Sequence, residues 1–206
     1  MKVFSNEETF DYSWEEVSTA NWRKYCPWNK KSTHVIAVDT LSRTLDPATG
    51  ILRTERLITC RQSAPEFLKR IIGGPMEESQ VYETSYVDLQ TKTVTMVSQN
   101  LTWNNMVNVE EEVVYKPLNG HQTQFVQTAR ITALCGGWQR IKNSIEDTLV
   151  KRFRENAIKG KEGFELVLAM SRRVFAEERE REKMMTGAMP NMALLREQAQ
   201  NIRAAA

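Results

Sequence analysis

The chain has 206 residues, with 28 Lys and Arg against 26 Asp and Glu, so its formal net charge is only +2. This length suits one domain with a sizeable core or one lipid-sized cavity. Because the charges nearly balance, attraction to phosphates or anionic membranes must come from local patches, and nucleic acid is not favoured as a partner. No run of about 18 apolar residues could span a bilayer. The first residues also lack the composition of a secretory signal or a transit peptide, so composition alone favours the cytosol.

The cysteines and histidines give little sign of chemistry. Cys26, Cys60 and Cys135 are too few and too scattered for a disulfide framework or a zinc site, and we interpret them as reduced thiols. His34 and His121 sit in no pattern typical of a catalytic base. Gly-rich phosphate loops are missing as well, so the sequence predicts no catalytic residue, no metal site and no cofactor.

The N-terminal part alternates strand and helix patterns. Residues 3–12 are strand-like, and a capping box of Ser13 and Glu16 predicts a helix over 13–24. Two strand patterns follow at 33–45 and 51–61, joined by a Pro-Gly turn, and they predict a hairpin. Apolar residues occupy both faces of the first of these strands, so we expect it to be covered on both sides.

Four further strand patterns follow an amphipathic segment, PEFLKRIIGG, at 65–74. These strands are predicted at 80–89, 93–102, 107–117 and 123–134. The acidic run Glu110, Glu111 and Glu112 lies in the third of them. Since neighbouring strand residues point to opposite faces, we interpret this run as a solvated edge.

A long helix closes the predicted domain. From Trp138 to Leu168 apolar residues recur mostly every three or four positions, and dense charge over 177–183 predicts a helical extension with a weakly ordered tail. We therefore predict an α+β fold over 1–175, in which a curved, antiparallel sheet of about seven strands grips the helix, and an extension over 176–206. The space between sheet and helix could hold side chains or a ligand, and periodicity leaves both possibilities open.

Basic residues are spread over this predicted container. They are Lys24, Arg53, Arg56, Arg61, Lys69, Arg70, Arg152, Lys159 and Lys161. A cation buried beside apolar groups is costly unless it is paired, and a phosphate is a suitable partner for it. Each of these residues could therefore hold an anionic head group or could simply be solvated.

Three segments carry a family resemblance. They read KVFSNEETFDYSWEEVSTANWRKY at the start, STHVIAVDTLSRTLD with TERLITCRQ in the first hairpin, and RFRENAIKGKEGFELVL in the long helix. In this order and spacing they resemble the PRELI family of mitochondrial phospholipid-transfer proteins, and more closely its Slowmo branch. The resemblance implies a seven-stranded sheet and a long helix that enclose one phospholipid, with a mobile lid loop.

The resemblance also implies a cellular location and binding partners. Such proteins shuttle lipid between the outer and inner membranes, in the intermembrane space, together with a small helical protein with a twin-cysteine motif. They contact anionic mitochondrial membranes peripherally. Because import without a transit peptide is usual for them, the resemblance replaces the cytosolic expectation.

Site residues follow from the resemblance position by position. The basic residue after the first helix falls on Lys24, and those along the long helix fall on Arg152 and Lys159. Where the phosphatidate-transferring branch carries a lysine, this chain has Cys60, and Arg61 is the nearest cation. Neighbouring strand residues face opposite sides, so Arg61 is not assumed to replace that lysine. Head-group binding is expected at these four basic residues.

The implied lid falls on about 64–74, the amphipathic segment. Phe67 lies where an aromatic side chain is expected to touch the membrane. The residues assigned to the lid and to membrane contact are Phe67, Leu68, Lys69, Arg70, Ile71 and Ile72.

The predicted function is transfer of phosphatidylserine from the outer to the inner mitochondrial membrane, where decarboxylation makes phosphatidylethanolamine. Within the family, transfer of phosphatidic acid for cardiolipin synthesis is the alternative. Outside it, a cyclase of the same architecture would need polar catalytic groups that the sequence does not show. A non-transferring, partner-binding module would show no extractable lipid.

Overall fold

The computed structural model describes residues 1–61, 78–134, 136 and 139–188, with side chains as far as 185. The strands of this part are β1 Lys2–Phe10, β2 Val35–Leu45, β3 Leu52–Arg61, β4 Glu78–Asp88, β5 Thr93–Asn100, β6 Val107–Pro117 and β7 Thr123–Ala133. Helix α1 spans Trp14–Asn21, and helix α2 spans Gln139–Ala188. The strands form one seven-stranded sheet in the order β1-β7-β6-β5-β4-β3-β2, and every neighbouring pair is antiparallel. The predicted α+β class, antiparallel sheet and long C-terminal helix are confirmed.

Helix α1 begins as its capping box predicts but ends earlier than expected. The Glu16 backbone N–H donates to Ser13 Oγ at 3.4 Å, and the Ser13 N–H donates to the Glu16 carboxylate at 3.0 Å. After α1 the chain runs through successive turns to Asn29, which is buried. The Asn29 amide donates to the Lys24 carbonyl oxygen at 2.7 Å. This bond fixes the backbone that carries Lys24.

Strand β2 lies at one edge of the sheet, and the expectation that both of its faces are covered is wrong. Ile36, Leu41 and Leu45 are 41%, 56% and 64% exposed. The register shifts twice along its pairing with β3, and such bulges are one way in which edge strands avoid pairing with other chains. Apolar and β-branched residues thus signalled a strand here without signalling burial.

Two compact units divide the chain, one over 1–168 and one from 169 onward. In the second unit the described residues continue α2 with exposed, charged side chains, among them the ion pairs Arg173–Glu177 and Lys183–Glu180. The predicted division into 1–175 and 176–206 stays a prediction.

The core of the first unit consists of two clusters. The first contains four aromatic side chains whose neighbouring ring centroids lie 5.2 to 6.4 Å apart: Phe10, Tyr115, Phe125 and Phe164. The second consists of Val107, Ile131, Ala133 and Ile145. Helix α2 contributes Phe164 to the first cluster and Ile145 to the second. The turns of α2 between these two residues therefore cross a gap between two packed regions.

Candidate functional site

A cavity of about 360 Å³ occupies this gap between the sheet and α2. One stripe of α2 faces it, with large side chains at Leu149 and Phe153 and small ones at Ala157 and Gly160. A Cβ atom added at Gly160 would meet nothing within 4 Å. The cavity thus follows from the sequence, because α2 has the small residues Ala157 and Gly160 between the parts that pack into the two core clusters.

Apolar side chains form most of the cavity wall. They come from the concave face of the sheet, from the β5–β6 connection and from α2: Phe10, Val35, Ile58, Val81, Trp103, Met106, Val107, Val109, Tyr115, Phe125, Leu149, Phe153 and Phe164. Among the described residues, side chains therefore do not fill the space between the sheet and α2, and its occupation by a ligand stays a prediction. A wall of this kind suits a hydrophobic ligand.

Lys24 is a cation in this wall whose pKa is lowered by burial. Burial lowers the pKa of Lys24 because it strips water from the ammonium group, and the negative charges of Glu111 and Glu83 oppose that shift. Its Nζ lies 5.6 Å from the centre of the Tyr25 ring. Within the part of the chain that the structure describes, Lys24 forms no ion pair. A desolvated ammonium group of this kind is able to bind an anion.

Two other lysines at the cavity are already paired. Lys161 Nζ lies 3.0 Å from the Glu8 carboxylate, and this hydrogen bond raises the pKa of Lys161. Lys31 Nζ lies 2.5 Å from the Glu162 carboxylate. Both pairs join α2 to the N-terminal part of the chain, so they are better suited to holding the helix than to binding a ligand.

The head-group residues predicted from the resemblance divide into two groups. Lys24 and Arg152 both line the cavity, Lys24 from the turns after α1 and Arg152 from α2. Lys159 is exposed and does not line it. Its charge nevertheless reaches His34, a lining residue: burial lowers the pKa of His34, and the charges of Lys159 and Lys24 lower it further. The assignment of these residues to a head group stays a prediction.

Cys60 and Arg61, the last two residues of β3, lie in different environments. Cys60 lines the cavity, and burial raises the pKa of its thiol. Arg61 is exposed, with Nη2 3.1 Å from the Glu78 carboxylate. The two side chains thus point to opposite sides, as expected for neighbouring strand residues.

The predicted lid lies outside the described residues. This applies to all six of its assigned members: Phe67, Leu68, Lys69, Arg70, Ile71 and Ile72. Within the described residues, no helix is apolar over a stretch long enough to cross a membrane. The same residues contain no group of three or more His, Cys, Asp or Glu side chains arranged to hold a metal ion.

Sequence reasoning missed a polar row across the concave face, formed by Arg56, Glu83, Ser98 and Glu111 on four successive strands. Arg56 donates to Glu83 from Nε at 2.9 Å and from Nη2 at 2.5 Å, and both side chains are buried. Ser98 Oγ donates to Glu111 at 3.1 Å. Glu83 and Glu111 line the cavity.

For Glu111, the interpretation of the acidic run as a solvated edge is wrong. Strand β6 lies between β5 and β7, and Glu111 shares its inward face with Val109 and Tyr115, which also line the cavity. Glu110 and Glu112 are exposed. The alternation of apolar residues on both sides of Glu111 was the signal that could have located it.

Comparison with known families and proteins gives consistent relatives. The model of the PRELI-like family matches residues 15–174. Protein UPS2, mitochondrial, of Saccharomyces cerevisiae is 46% identical over 180 residues, which are 86% of this chain and 75% of that protein. UPS-like protein C36.10 of Schizosaccharomyces pombe is 46% identical over 82% of this chain and 89% of its own length. The slowmo homolog of Dictyostelium discoideum is 33% identical over 75% of this chain and 66% of its own length.

Solved structures share the architecture at low sequence identity. The Zhui aromatase/cyclase of Streptomyces sp. R1128 aligns with a TM-score of 0.55 at 12% identity, over 84% of this chain and 94% of its own. The lipid transfer and protein localization domain of human StarD13 aligns with a TM-score of 0.52 at 14% identity, over 80% of this chain and 77% of its own. At such identities these likenesses show the fold alone.

Proposed function

The chain belongs to the PRELI-like family, as its three sequence segments predict, and from this premise we propose that it carries phosphatidylserine between the two mitochondrial membranes. In this proposal it is a non-catalytic carrier in the intermembrane space, moving lipid from the outer to the inner membrane. Its relatives of the slowmo and UPS types support the Slowmo branch, and the name of the relative UPS2, a mitochondrial protein, supports a mitochondrial location. The intermembrane space rests on the family resemblance.

The observation that carries the proposal is the half-buried ammonium group of Lys24, which lines a mostly apolar cavity and forms no ion pair among the described residues. An isolated buried cation is costly, and that cost is offset when a phosphate enters beside Lys24 and forms charge-assisted hydrogen bonds with it. The surrounding apolar wall would take acyl carbons at the same time. An amphiphile with a phosphate at one end satisfies both parts of the cavity, whereas a purely polar metabolite satisfies one.

The size of the cavity bears on how the lipid sits. A volume of about 360 Å³ is at the lower end of the range for small-ligand pockets, which is roughly 300 to 1,000 Å³. It accommodates a head group and the adjoining part of the acyl chains, so a two-chain lipid requires the cavity to widen. In the proposed mechanism the segment at 64–74 docks on anionic lipid and opens, and one phospholipid enters with its head group near Lys24 and Arg152.

A small helical protein with a twin-cysteine motif is proposed as the partner that stabilises the carrier and leaves it at the membrane. This rests on the family resemblance. Peripheral contact with anionic membranes is proposed for the same segment, 64–74.

The test is transfer between vesicles by the chain purified together with that partner. Fluorescent phosphatidylserine or phosphatidic acid is placed in donor liposomes, and its arrival in acceptor liposomes is followed over time. Wild-type protein and the variants Lys24→Met and Lys30→Met are compared. Lys30 is exposed and does not line the cavity, so it serves as the matched control.

Lys24→Met should slow lipid transfer about tenfold or more, because a hydrogen bond to a charged group contributes roughly 1.5 to 3 kcal/mol. Lys30→Met should transfer at the wild-type rate. If Lys24→Met folds and transfers like wild type, the head-group site is wrong. Faster transfer of phosphatidic acid than of phosphatidylserine by wild type would favour the alternative substrate, and transfer of neither would favour a partner-binding module.

A further inference from the structure

We propose that Glu111 and Gln127 form a subsite for the ammonium group of a phospholipid, so that the cavity selects head groups with a primary amine. The inference rests on the proposed transfer function and concerns which lipids the site accepts. It assigns a role to the negatively charged carboxylate of Glu111 and to the neutral amide of Gln127, and these complement the positively charged Lys24.

Glu111 has an inward position and neutral hydrogen-bond partners. It lies on β6, inside the sheet, and its side chain borders the cavity. Its carboxylate accepts hydrogen bonds from Ser98 Oγ at 3.1 Å and from Gln127 Nε2 on the next strand. These two neutral donors orient the carboxylate without neutralising its charge. A carboxylate has about four acceptor positions, so positions remain for a cationic donor from a ligand.

Gln127 offers a second acceptor at the same place. Its Oε1 is buried, and within the described part of the chain it has no hydrogen-bond partner. Rotating the amide would bring Oε1 against the Glu111 carboxylate and lose the bond from Nε2, so Glu111 fixes the amide orientation. Buried acceptors are almost always satisfied. An ammonium group has three N–H donors, enough to bind Glu111 and Gln127 Oε1 together.

The charges of the cavity wall point to a ligand that carries both signs. In the polar row, Arg56 is paired with Glu83, and Lys161 at the other side is paired with Glu8. Lys24 and Glu111 are two lining side chains of opposite charge that have no ion pair among the described residues. The negative charge of Glu111 raises the pKa of Lys24, against the effect of burial. No ion pair joins these two residues. A phosphate beside Lys24 and an ammonium beside Glu111 would satisfy both.

This arrangement separates the two candidate lipids. Phosphatidylserine carries a phosphate, a carboxylate and an ammonium group that can bind Glu111, whereas phosphatidic acid carries a phosphate without any cation. Bound phosphatidic acid would leave Gln127 Oε1 unsatisfied and would place additional negative charge near Glu111. Because like charges in a partly desolvated site repel each other, the site disfavours phosphatidic acid.

The experiment measures transfer of phosphatidylserine, phosphatidylethanolamine and phosphatidic acid by wild type and by Glu111→Gln, Gln127→Met and Glu112→Gln. Glu111→Gln removes the charge and keeps the shape, while Gln127→Met removes the acceptor. Glu112 is the next residue of β6, exposed on the opposite face, and its variant is the matched control. Thermal unfolding of each variant is recorded in parallel.

Glu111→Gln should reduce transfer of both amine-bearing lipids about tenfold while transfer of phosphatidic acid stays equal or rises. Gln127→Met should move the ratio in the same direction, and Glu112→Gln should leave it unchanged. An unchanged ratio of phosphatidylserine to phosphatidic acid in both inward variants would overturn the inference, as would an equal loss of all three lipids. Failure of wild type to transfer any lipid would instead overturn the proposed function. If Glu111→Gln does not fold, Gln127→Met decides alone.

Discussion

Two glycines of α2, three residues apart, should respond to alanine in opposite directions. Gly160 borders the cavity, and a Cβ atom there would meet nothing within 4 Å. At Gly163 the added Cβ atom would lie 2.8 Å from Lys31 Cβ and 2.9 Å from Asn29 Oδ1. The same substitution therefore adds a methyl group to open space in one case and to a filled contact in the other.

The expected magnitudes follow from helix propensity and packing. Alanine is favoured over glycine in a helix interior by about 1 kcal/mol, so Gly160→Ala should gain about that much. For a domain of this size the gain raises the melting temperature by roughly 2 to 4 °C. Gly163→Ala receives the same propensity gain but must displace Asn29, which is 3% exposed and hydrogen-bonded to Lys24 and Ser32. Overpacking typically costs about 1 to 3 kcal/mol, so for any cost above the low end of this range the net change is destabilising, by up to about 2 kcal/mol.

Thermal and urea unfolding, followed by circular dichroism on the protein with and without its partner, would measure both effects. The contrast between the two variants matters more than either value, since both share the helix and the substitution. If Gly163→Ala unfolds at the same temperature as Gly160→Ala or above it, the close contact between α2 and Asn29 is wrong. Gly163→Ala should also slow lipid transfer, because Asn29 holds the Lys24 carbonyl oxygen.

Two further predictions concern the cavity. Replacing both Ala157 and Gly160 with leucine should fill the cavity. The melting temperature should then stay the same or rise, while the lipid that co-purifies with the protein, measured by mass spectrometry, should be lost. Loss of the fold, or retention of the lipid, would count against the assigned cavity volume. His34 should make stability depend on pH: its pKa is lowered, first by burial and then by Lys159 and Lys24. Below about pH 6.5, His34 therefore binds a proton in the unfolded chain more readily than in the folded protein. The free energy of unfolding accordingly falls as the pH falls. His34→Gln should flatten the change in unfolding free energy between about pH 7.5 and 5.5, and an unchanged slope would show that another group is responsible.

The sheet was predictable because its signals are local. Strand β6 was predicted at 107–117 and is observed at Val107–Pro117, since alternation and turn residues are read directly along the chain. Helix α1 starts at its capping box for the same reason. Its end was predicted three residues late, because that end depends on the turns that lead to the buried Asn29. Exposure of β2 was also missed, because the position of a strand within the sheet is not a local property.

The site was less predictable, because it depends on which strands are neighbours. Lys24 and Arg152 came from the family resemblance, and the structure brings both to one cavity from opposite ends of the sequence. Glu111 was read as part of a surface run, since its partners Ser98 and Gln127 are 13 and 16 residues away. Only the register of β5, β6 and β7 brings these side chains together.

The position of Gly160 links the stability of the fold to its proposed task. Glycine weakens a helix interior by about 1 kcal/mol relative to alanine, and the open space beside it also lacks the packing that a larger side chain would supply. A bound lipid would supply the missing contacts and would stabilise the folded protein in proportion to the logarithm of its concentration over its dissociation constant. Filling variants and bound lipid should therefore stabilise the same gap between the two core clusters, and they should exclude each other. Larger side chains at 157 and 160 should thus raise the free energy of unfolding and, by the same change, weaken lipid binding.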